Sequence, residues 1–287
     1  MLRKLYMHEF KALLRWLLFV WIGILALAII NRGMNALIDF YIEKNYSLAG
    51  YSSDLNEAKG YFLLKSFSAT LTIIYALATI AGLLISFGVV IVRFYKNLFT
   101  SEGYFTFSIP VSANQHLWCK LICGGVAIIA SMAVCALSLF INLLFTDIGA
   151  AISELIFELH TAVKIEMRIH LFLYVMELVL ILLASILVTN LTAYCSISFG
   201  QSFKNKIGGS VISYIAIKLV LNCVTSFLSV FFTLSGSLLS FTPVFDNISP
   251  EFAIHLILIV SLFIEVALGA VFFLITSHRT SRKLNLE

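Results

Sequence analysis

Charge is what this chain has least of: Asp, Glu, Lys and Arg together supply 12% of 287 residues, about half the share usual in soluble domains. A water-exposed globular surface cannot be assembled from so few charges. Proline is scarcer still, at three residues, so long helices can run without an imposed break. The catalytic signatures are missing too. There is no G-x-x-x-x-G-K-[ST] phosphate loop, which excludes ATP binding of the P-loop kind by this chain. H-E-x-x-H and G-x-S-x-G are also absent, and the six histidines are scattered singly, mostly near the ends of apolar segments, so hydrolytic chemistry has no framework. The five cysteines, Cys119, Cys123, Cys135, Cys195 and Cys223, all fall within apolar segments or at their inner ends. With no external pair to oxidise, they read as small packing residues. Cys119 and Cys123 share a helix face, but no further ligand completes a metal site beside them.

What is present is hydrophobic: 61% of the residues, with a mean hydropathy of +1.01. A bilayer core about 30 Å thick is crossed by about 20 apolar helical residues. Six segments meet that requirement, approximately 14–31, 66–92, 117–144, 171–200, 208–233 and 252–276. Continuous runs such as Ala76 to Val92 contradict the alternation of a membrane barrel. The expected fold class is therefore all-α, a single polytopic transmembrane domain. Residues 1–13 read as an interfacial helix, with Leu2, Tyr6, Phe10 and Leu13 on one face and Lys4, His8, Lys11 and Arg15 on the other. A cleavable signal competes there, through Ala26-Leu27-Ala28, but the apolar run continues to Ile30 and an amphipathic segment precedes it.

The charges that remain are unevenly placed. With the N-terminus inside, Arg3, Lys4, Lys11, Arg15, Arg93, Lys96, Lys120, Lys204, Lys206, Arg279, Arg282 and Lys283 lie in cytoplasmic segments, against six basic residues outside: Arg32, Lys44, Lys59, Lys65, Lys164 and Arg168. Ten of the fifteen acids lie in external segments. The positive-inside rule then puts both termini in the cytoplasm, and the basic pI of 8.8 reports topology rather than nucleic-acid binding. The external segments are 32–65, 145–170 and 234–251. The second carries a stripe of Ile152, Ile156, Leu159 and Val163 opposite Glu154 and Glu158, expected as a surface helix, with His160 and His170 expected to be solvated. The third is apolar and Ser-rich, either a re-entrant element or an exposed loop.

Local signals mark several boundaries. Ser112-Ala-Asn-Gln115 is a capping box opening the third span, after Pro110 ends the segment before it. Ser249-Pro250-Glu251 supplies a cap, a first-turn proline and an acid to the sixth. Ala78, Gly82 and Ser86 recur every four residues, which allows close helix approach either within the bundle or at a dimer seam. No internal repeat is evident, which weakens a transporter built on inverted halves.

Three charges, Glu177, Lys218 and Glu265, interrupt the spans, and intramembrane charges generally face the bundle interior and have a role. Lys218 and Glu265 lie at matched depth, about 15 Å from the inner ends of sequence-adjacent spans at 1.5 Å per residue. They are expected to form an ion pair, either fixing helix register or contributing to a substrate site. Glu177 lies nearer the outer face, where it reaches headgroups or lines an external opening.

The inner segment 93–116 differs from a usual short polar connection. It carries Phe94, Tyr95, Phe99, Tyr104, Phe105 and Phe107 among few charges, a composition that calls for a protein partner. From Phe94 through Leu98-Phe99, Glu102-Gly103-Tyr104 and Pro110-Val111-Ser112 to Lys120, this stretch resembles the inner loop of small type-2 ATP-binding-cassette permeases of Gram-positive bacteria. Ser101 stands where that family usually has a further acid. About thirty residues carry the match; six spans, a basic amphipathic N-terminus and internal termini agree with it along the rest.

The resemblance implies a coupling helix docked in a cleft of a separate cytoplasmic ATPase, with Phe99, Glu102, Gly103, Tyr104 and Phe105 at the contact. Aromatic rings supply contact area, one carboxylate can pair with Arg or Lys, and glycine allows a sharp turn. It also implies a second permease copy or sister chain, a bacterial plasma membrane as the location, and export of an antimicrobial peptide, drug or other amphipathic compound. ATP and Mg would sit on the partner ATPase, with no catalysis, cofactor or metal in this chain and no nucleic-acid partner. Two other classes remain open from the residues alone. One is an ATP-independent secondary transporter or channel using Glu177, Lys218 and Glu265; the other is a non-transporting receptor or assembly subunit.

Overall fold

The computed structural model describes residues 2–48, 55–108, 111–144, 146–162, 165–239 and 250–282, and every regular element among them is a helix. In chain order these are α1 (Leu2–Leu48), α2 (Leu55–Phe99), α3 (Glu102–Ser108), α4 (Ala113–Leu143), α5 (Asp147–Ala162), α6 (Ile165–Gly200), α7 (Lys206–Leu239) and α8 (Pro250–Arg282). Six helices, α1, α2, α4, α6, α7 and α8, contain stretches long and apolar enough to cross a membrane. Helix is the required answer for such sequences, because in hydrocarbon each backbone N–H and C=O needs a partner within its own segment. The chain is a multi-pass, all-α membrane protein.

The expected spans are found, but the helices that contain them are longer. α1 continues unbroken from Leu2 to Leu48, so residues 1–13 do not form a separate interfacial element. Lys4, His8, Lys11 and Arg15 are exposed, as the polar face requires, whereas the buried side of this segment runs through Glu9, Leu13 and Leu17 and leaves Phe10 outside. Most of the expected loop 32–65 is also helical. Elongating a formed helix gains one hydrogen bond for each residue fixed, and the polar residues here include nothing that stops it.

Both predicted starts are present. Ser112 N–H donates to Gln115 Oε1 at 3.1 Å and Gln115 N–H to Ser112 Oγ at 3.4 Å, a reciprocal capping box at the head of α4. α8 begins at Pro250 with Glu251 in its first turn. Pro110 and the segment 240–249 lie outside the described residues. α5 occupies the expected surface-helix position, and its described side chains from Ala151 to Glu158 are all exposed, Ile152 and Ile156 among them.

The chain divides into two compact units. One comprises Tyr6–Val90 and Val126–Ala162. Neutral polar side chains tie its helices together: Trp21 Nε1 donates to Ser131 Oγ (3.0 Å), Asn31 Nδ2 to Asn142 Oδ1 (2.7 Å), Thr72 Oγ1 to Asn31 Oδ1 (3.1 Å), and Tyr75 shares a 2.9 Å hydrogen bond with Ser138. In lipid, where apolar side chains gain little by meeting one another, such bonds and close packing are what hold helices together. Gly82 and Ser86 are buried in this unit, and a Cβ at Gly82 would meet Ile24 and Val20. The small-residue stripe thus serves packing within the chain.

The other unit comprises Met1–Leu5, Ile91–Gly125 and Val163–Glu287. Its central helix is α6, against which both α7 and α8 pack. The C-terminal half of α6 is embedded, with Leu191 through Ser198 all buried, while its N-terminal half touches neighbours along one stripe only. Gly200 ends α6 where a Cβ would fall 2.5 Å from the Ser210 nitrogen and 2.6 Å from its Cα, so only glycine permits this close passage of α7.

Candidate functional sites

Two constellations stand out, both in the unit built around α6. The first surrounds α3. α2 continues through Asn97 and Leu98 to Phe99, so the first part of the expected inner loop is the end of a long helix. Phe94 stacks on Tyr194 of α6 with ring centroids 3.8 Å apart and planes at 10°, and Phe99 meets Phe94 at 5.9 Å. Tyr194 donates its hydroxyl to the Lys120 carbonyl on α4 (3.3 Å). Trp118 on α4 packs against Phe273 on α8 at 4.8 Å, and Asn114 Oδ1 accepts a hydrogen bond from Ser277. These contacts fasten the ends of α2 and α4 to α6 and α8, and seven-residue α3 bridges them.

The five expected docking residues therefore separate by environment. Glu102 and Tyr104 are exposed, Tyr104 by 59%. Phe99, at 5% exposure, and Gly103 are buried. The Phe99 ring packs on Phe94 and Tyr95 at the end of α2. Gly103 N–H donates to the Thr100 carbonyl at 2.8 Å, closing the turn from α2 into α3. The side chain of Phe105 lies outside the described residues.

The second constellation was not expected. His170, Tyr174 and Glu177 are spaced i, i+4 and i+7 on α6 and form its half-buried stripe, while the residues between them are exposed. α8 answers with Glu251 and His255, four apart on one face. His255 Nδ1 lies 2.9 Å and 3.0 Å from the two Glu177 carboxylate oxygens, and its Nε2 lies 3.2 Å from His170 Nδ1. Tyr174 stacks on the His255 ring at 4.3 Å and donates its hydroxyl to the Glu251 carbonyl at 3.3 Å. The His255 and Glu177 side chains are 15% and 18% exposed. His170 is therefore not a solvated loop residue, and Glu177 does not stand alone; each is one end of a chain whose middle is His255. The i, i+4, i+7 spacing on α6 was a signal available in the sequence. The identity of the opposing helix was not.

The other two intramembrane charges do not meet. Among the described residues no ion pair joins Lys218 to Glu265. Among the described residues α7 and α8 each pack on α6, and matched depth on consecutive helices does not by itself make neighbours. Lys218 Nζ sits 5.9 Å from the Tyr214 ring centroid, within a shallow groove along α7 lined by Ile215, Leu219, Asn222, Cys223 and Ser226. Glu265 is half-buried on α8.

At the opposite end of the α6–α8 pair Arg279 lies 3.8 Å over the Phe199 ring and donates to the Ser198 carbonyl (3.4 Å) and the Ser202 hydroxyl (3.1 Å). A fixed cation here complements the negative end of the α6 dipole. No three His, Cys, Asp or Glu side chains are grouped to hold a metal among the described residues, and their five cysteines are free thiols.

Comparison with known proteins gives no match: no family model, no curated protein and no solved structure is similar to the chain.

Proposed function

We propose that this chain is the membrane-spanning permease subunit of an ATP-binding-cassette exporter in a bacterial plasma membrane, with both termini cytoplasmic. A separate ATPase supplies the energy, and a second permease copy or sister chain completes the pathway. The observation that carries the reading is the mounting of α3. It is a short helix that follows directly on the long span helix α2, whose end is packed through Phe94 and Phe99, and it leaves Glu102 and Tyr104 exposed.

A force applied to α3 is passed to the helices on either side of it. Phe94 and Phe99 at one end and the Ser112–Gln115 capping box at the other hold the adjoining helix ends, so displacement becomes tilt of α2 and α4 rather than deformation of a loop. Tyr104 supplies amphipathic contact area and Glu102 a carboxylate for Arg or Lys of the ATPase. The inner-loop resemblance supports the same assignment, and the many Phe, Leu and Ile side chains of the spans suit an amphipathic cargo such as a peptide or drug.

The test is co-purification. The chain is co-expressed with each ATP-binding-cassette ATPase of its source cell, and Glu102 and Tyr104 are replaced together by alanine. ATPase recovery is expected to fall at least tenfold while the thermal transition of the membrane chain stays in place. Equal recovery with the doubly substituted chain removes α3 as the coupling element.

A further inference from the structure

We propose that Glu177, His255 and His170 form a proton-binding relay between α6 and α8, one that takes up a single proton with its hydrogen-bonded chain intact and is broken by a second. The inference stands apart from the ATP-driven reading and holds whatever engine moves the bundle.

The hydrogen bonds assign the protons. An ionised carboxylate only accepts, so the Nδ1 of His255, facing both oxygens of Glu177, carries a hydrogen. In neutral imidazole the other nitrogen then holds a lone pair. His255 Nε2 therefore accepts, and the His170 Nδ1 facing it at 3.2 Å is its donor. His170 Nε2 is left with the lone pair and is the open end of the chain.

Adding one proton shifts every link without breaking any. The proton binds His170 Nε2, and the hydrogen on His170 Nδ1 crosses to His255 Nε2. His255 becomes an imidazolium that donates at both nitrogens, to Glu177 on one side and to His170 Nδ1 on the other. His170 stays neutral and has changed tautomer. The new positive charge lies against a carboxylate, where it is stabilised.

A second proton has two destinations, and each damages the chain. On His170 Nδ1 it sets N–H against N–H and removes the acceptor. On Glu177 it strips the imidazolium of its counter-charge. Either way the α6–α8 contact loosens at this end.

The surroundings favour a site of this kind. Tyr174, stacked on His255 and tied to the Glu251 backbone, fixes the imidazole plane. The other ionisable groups facing the chain among the described residues are Tyr174 itself on α6 and Glu251 on α8. α7, which also packs on α6, carries Lys206, Tyr214, Lys218 and Cys223 among its described residues. Lys218 is only about 18 Å along α7 from the α6–α7 turn, whereas Glu177 is about 35 Å along α6 from it, at 1.5 Å per residue. No described fixed cation on α7 competes with His255 for Glu177. Histidine is the side chain whose charge ordinarily changes between pH 5 and 8, so a relay of two can respond within that range.

The experiment uses the full chain, labelled with ¹⁵N-histidine, in phosphatidylglycerol nanodiscs. Side-chain ¹⁵N spectra are followed from pH 8 to pH 5 and assigned through His170→Gln and His255→Gln. One midpoint is expected at which His255 becomes charged and His170, still neutral, moves its hydrogen from Nδ1 to Nε2. Glu177→Gln should lower the proton affinity of His255 at least tenfold, about one pH unit. Independent titration of the two histidines, or His170 charging first, overturns the proposal. So does an unchanged midpoint in Glu177→Gln. Equimolar Zn²⁺ at pH 7.5 that shifts both imidazoles and displaces the shared proton would replace the relay with a metal site. Should a substituted chain fail to fold, the coupled tautomer change in the unsubstituted chain still decides the matter.

Discussion

At one end of the α6–α8 pair, His255 is held between a carboxylate and a second imidazole; at the other, Arg279 lies on Phe199 and donates to the Ser198 carbonyl near the end of α6. Both ends are closed by a nitrogen base, yet the two closures differ in kind. The guanidinium is charged at every accessible pH and gains from the helix dipole and the aromatic face. Imidazole ordinarily changes charge between pH 5 and 8, and in the proposed relay its neighbours change with it. Burial follows the same division: α6 is enclosed from Leu191 to Ser198 and touches neighbours along a single stripe near His170. One seam thus has a constant clamp where it is deep and an adjustable one where it is shallow.

The largest effect should come from the α6–α7 approach beside the constant end. Gly200→Ala puts a methyl against the backbone of Ser210, which neither helix can yield cheaply, and an overpacking cost of about 3 kcal/mol is expected. Thermal unfolding in nanodiscs should show a large drop, equal at pH 8 and pH 5; a wild-type transition would mean that the close passage of α7 is absent. Next comes His255→Ala, which removes the middle of the relay and leaves Glu177 and His170 without their shared partner. A cost of about 2 kcal/mol is expected at pH 8, and the loss of stability on acidification that the relay predicts for the unsubstituted chain should disappear with it. If acid sensitivity persists unchanged, the adjustable clamp lies elsewhere.

Arg279→Ala tests the contrast from the other side. It forfeits the cation–π contact and two hydrogen bonds at a partly exposed site, about 1 kcal/mol, and the loss should be the same at pH 5 and pH 8. Tyr174→Phe is the mildest change, removing one hydroxyl bond to Glu251 and keeping the ring over His255, for about 0.5 kcal/mol. Its more useful readout is the ¹⁵N midpoint of His255, which should move little if stacking rather than the hydroxyl sets the imidazole plane.

Much of this architecture could be read from the chain itself. The six spans were legible because hydrocarbon tolerates few charges, and the starts of α4 and α8 because a capping box and a first-turn proline are local chemistry. The ends of α1 and α2 were not, since hydropathy stops at the membrane boundary while the helical backbone has no reason to. The burial of Phe94 was not legible either, because it depends on Tyr194, a hundred residues away. The missing Lys218–Glu265 ion pair and the place of His255 raise one question. Both required knowing which helices are neighbours, and sequence adjacency suggested α7 with α8 where the fold places α6 against each.

The 47-residue run of α1 gives the molecule a physical scale. At 1.5 Å per residue it is about 70 Å long, while the hydrocarbon layer is about 30 Å thick. Near the bilayer normal, more than half of such a length stands in headgroups and water. A fluorophore walked along its exposed positions would register two changes of medium, and the positions of those changes would give the depth at which the protein floats in its bilayer.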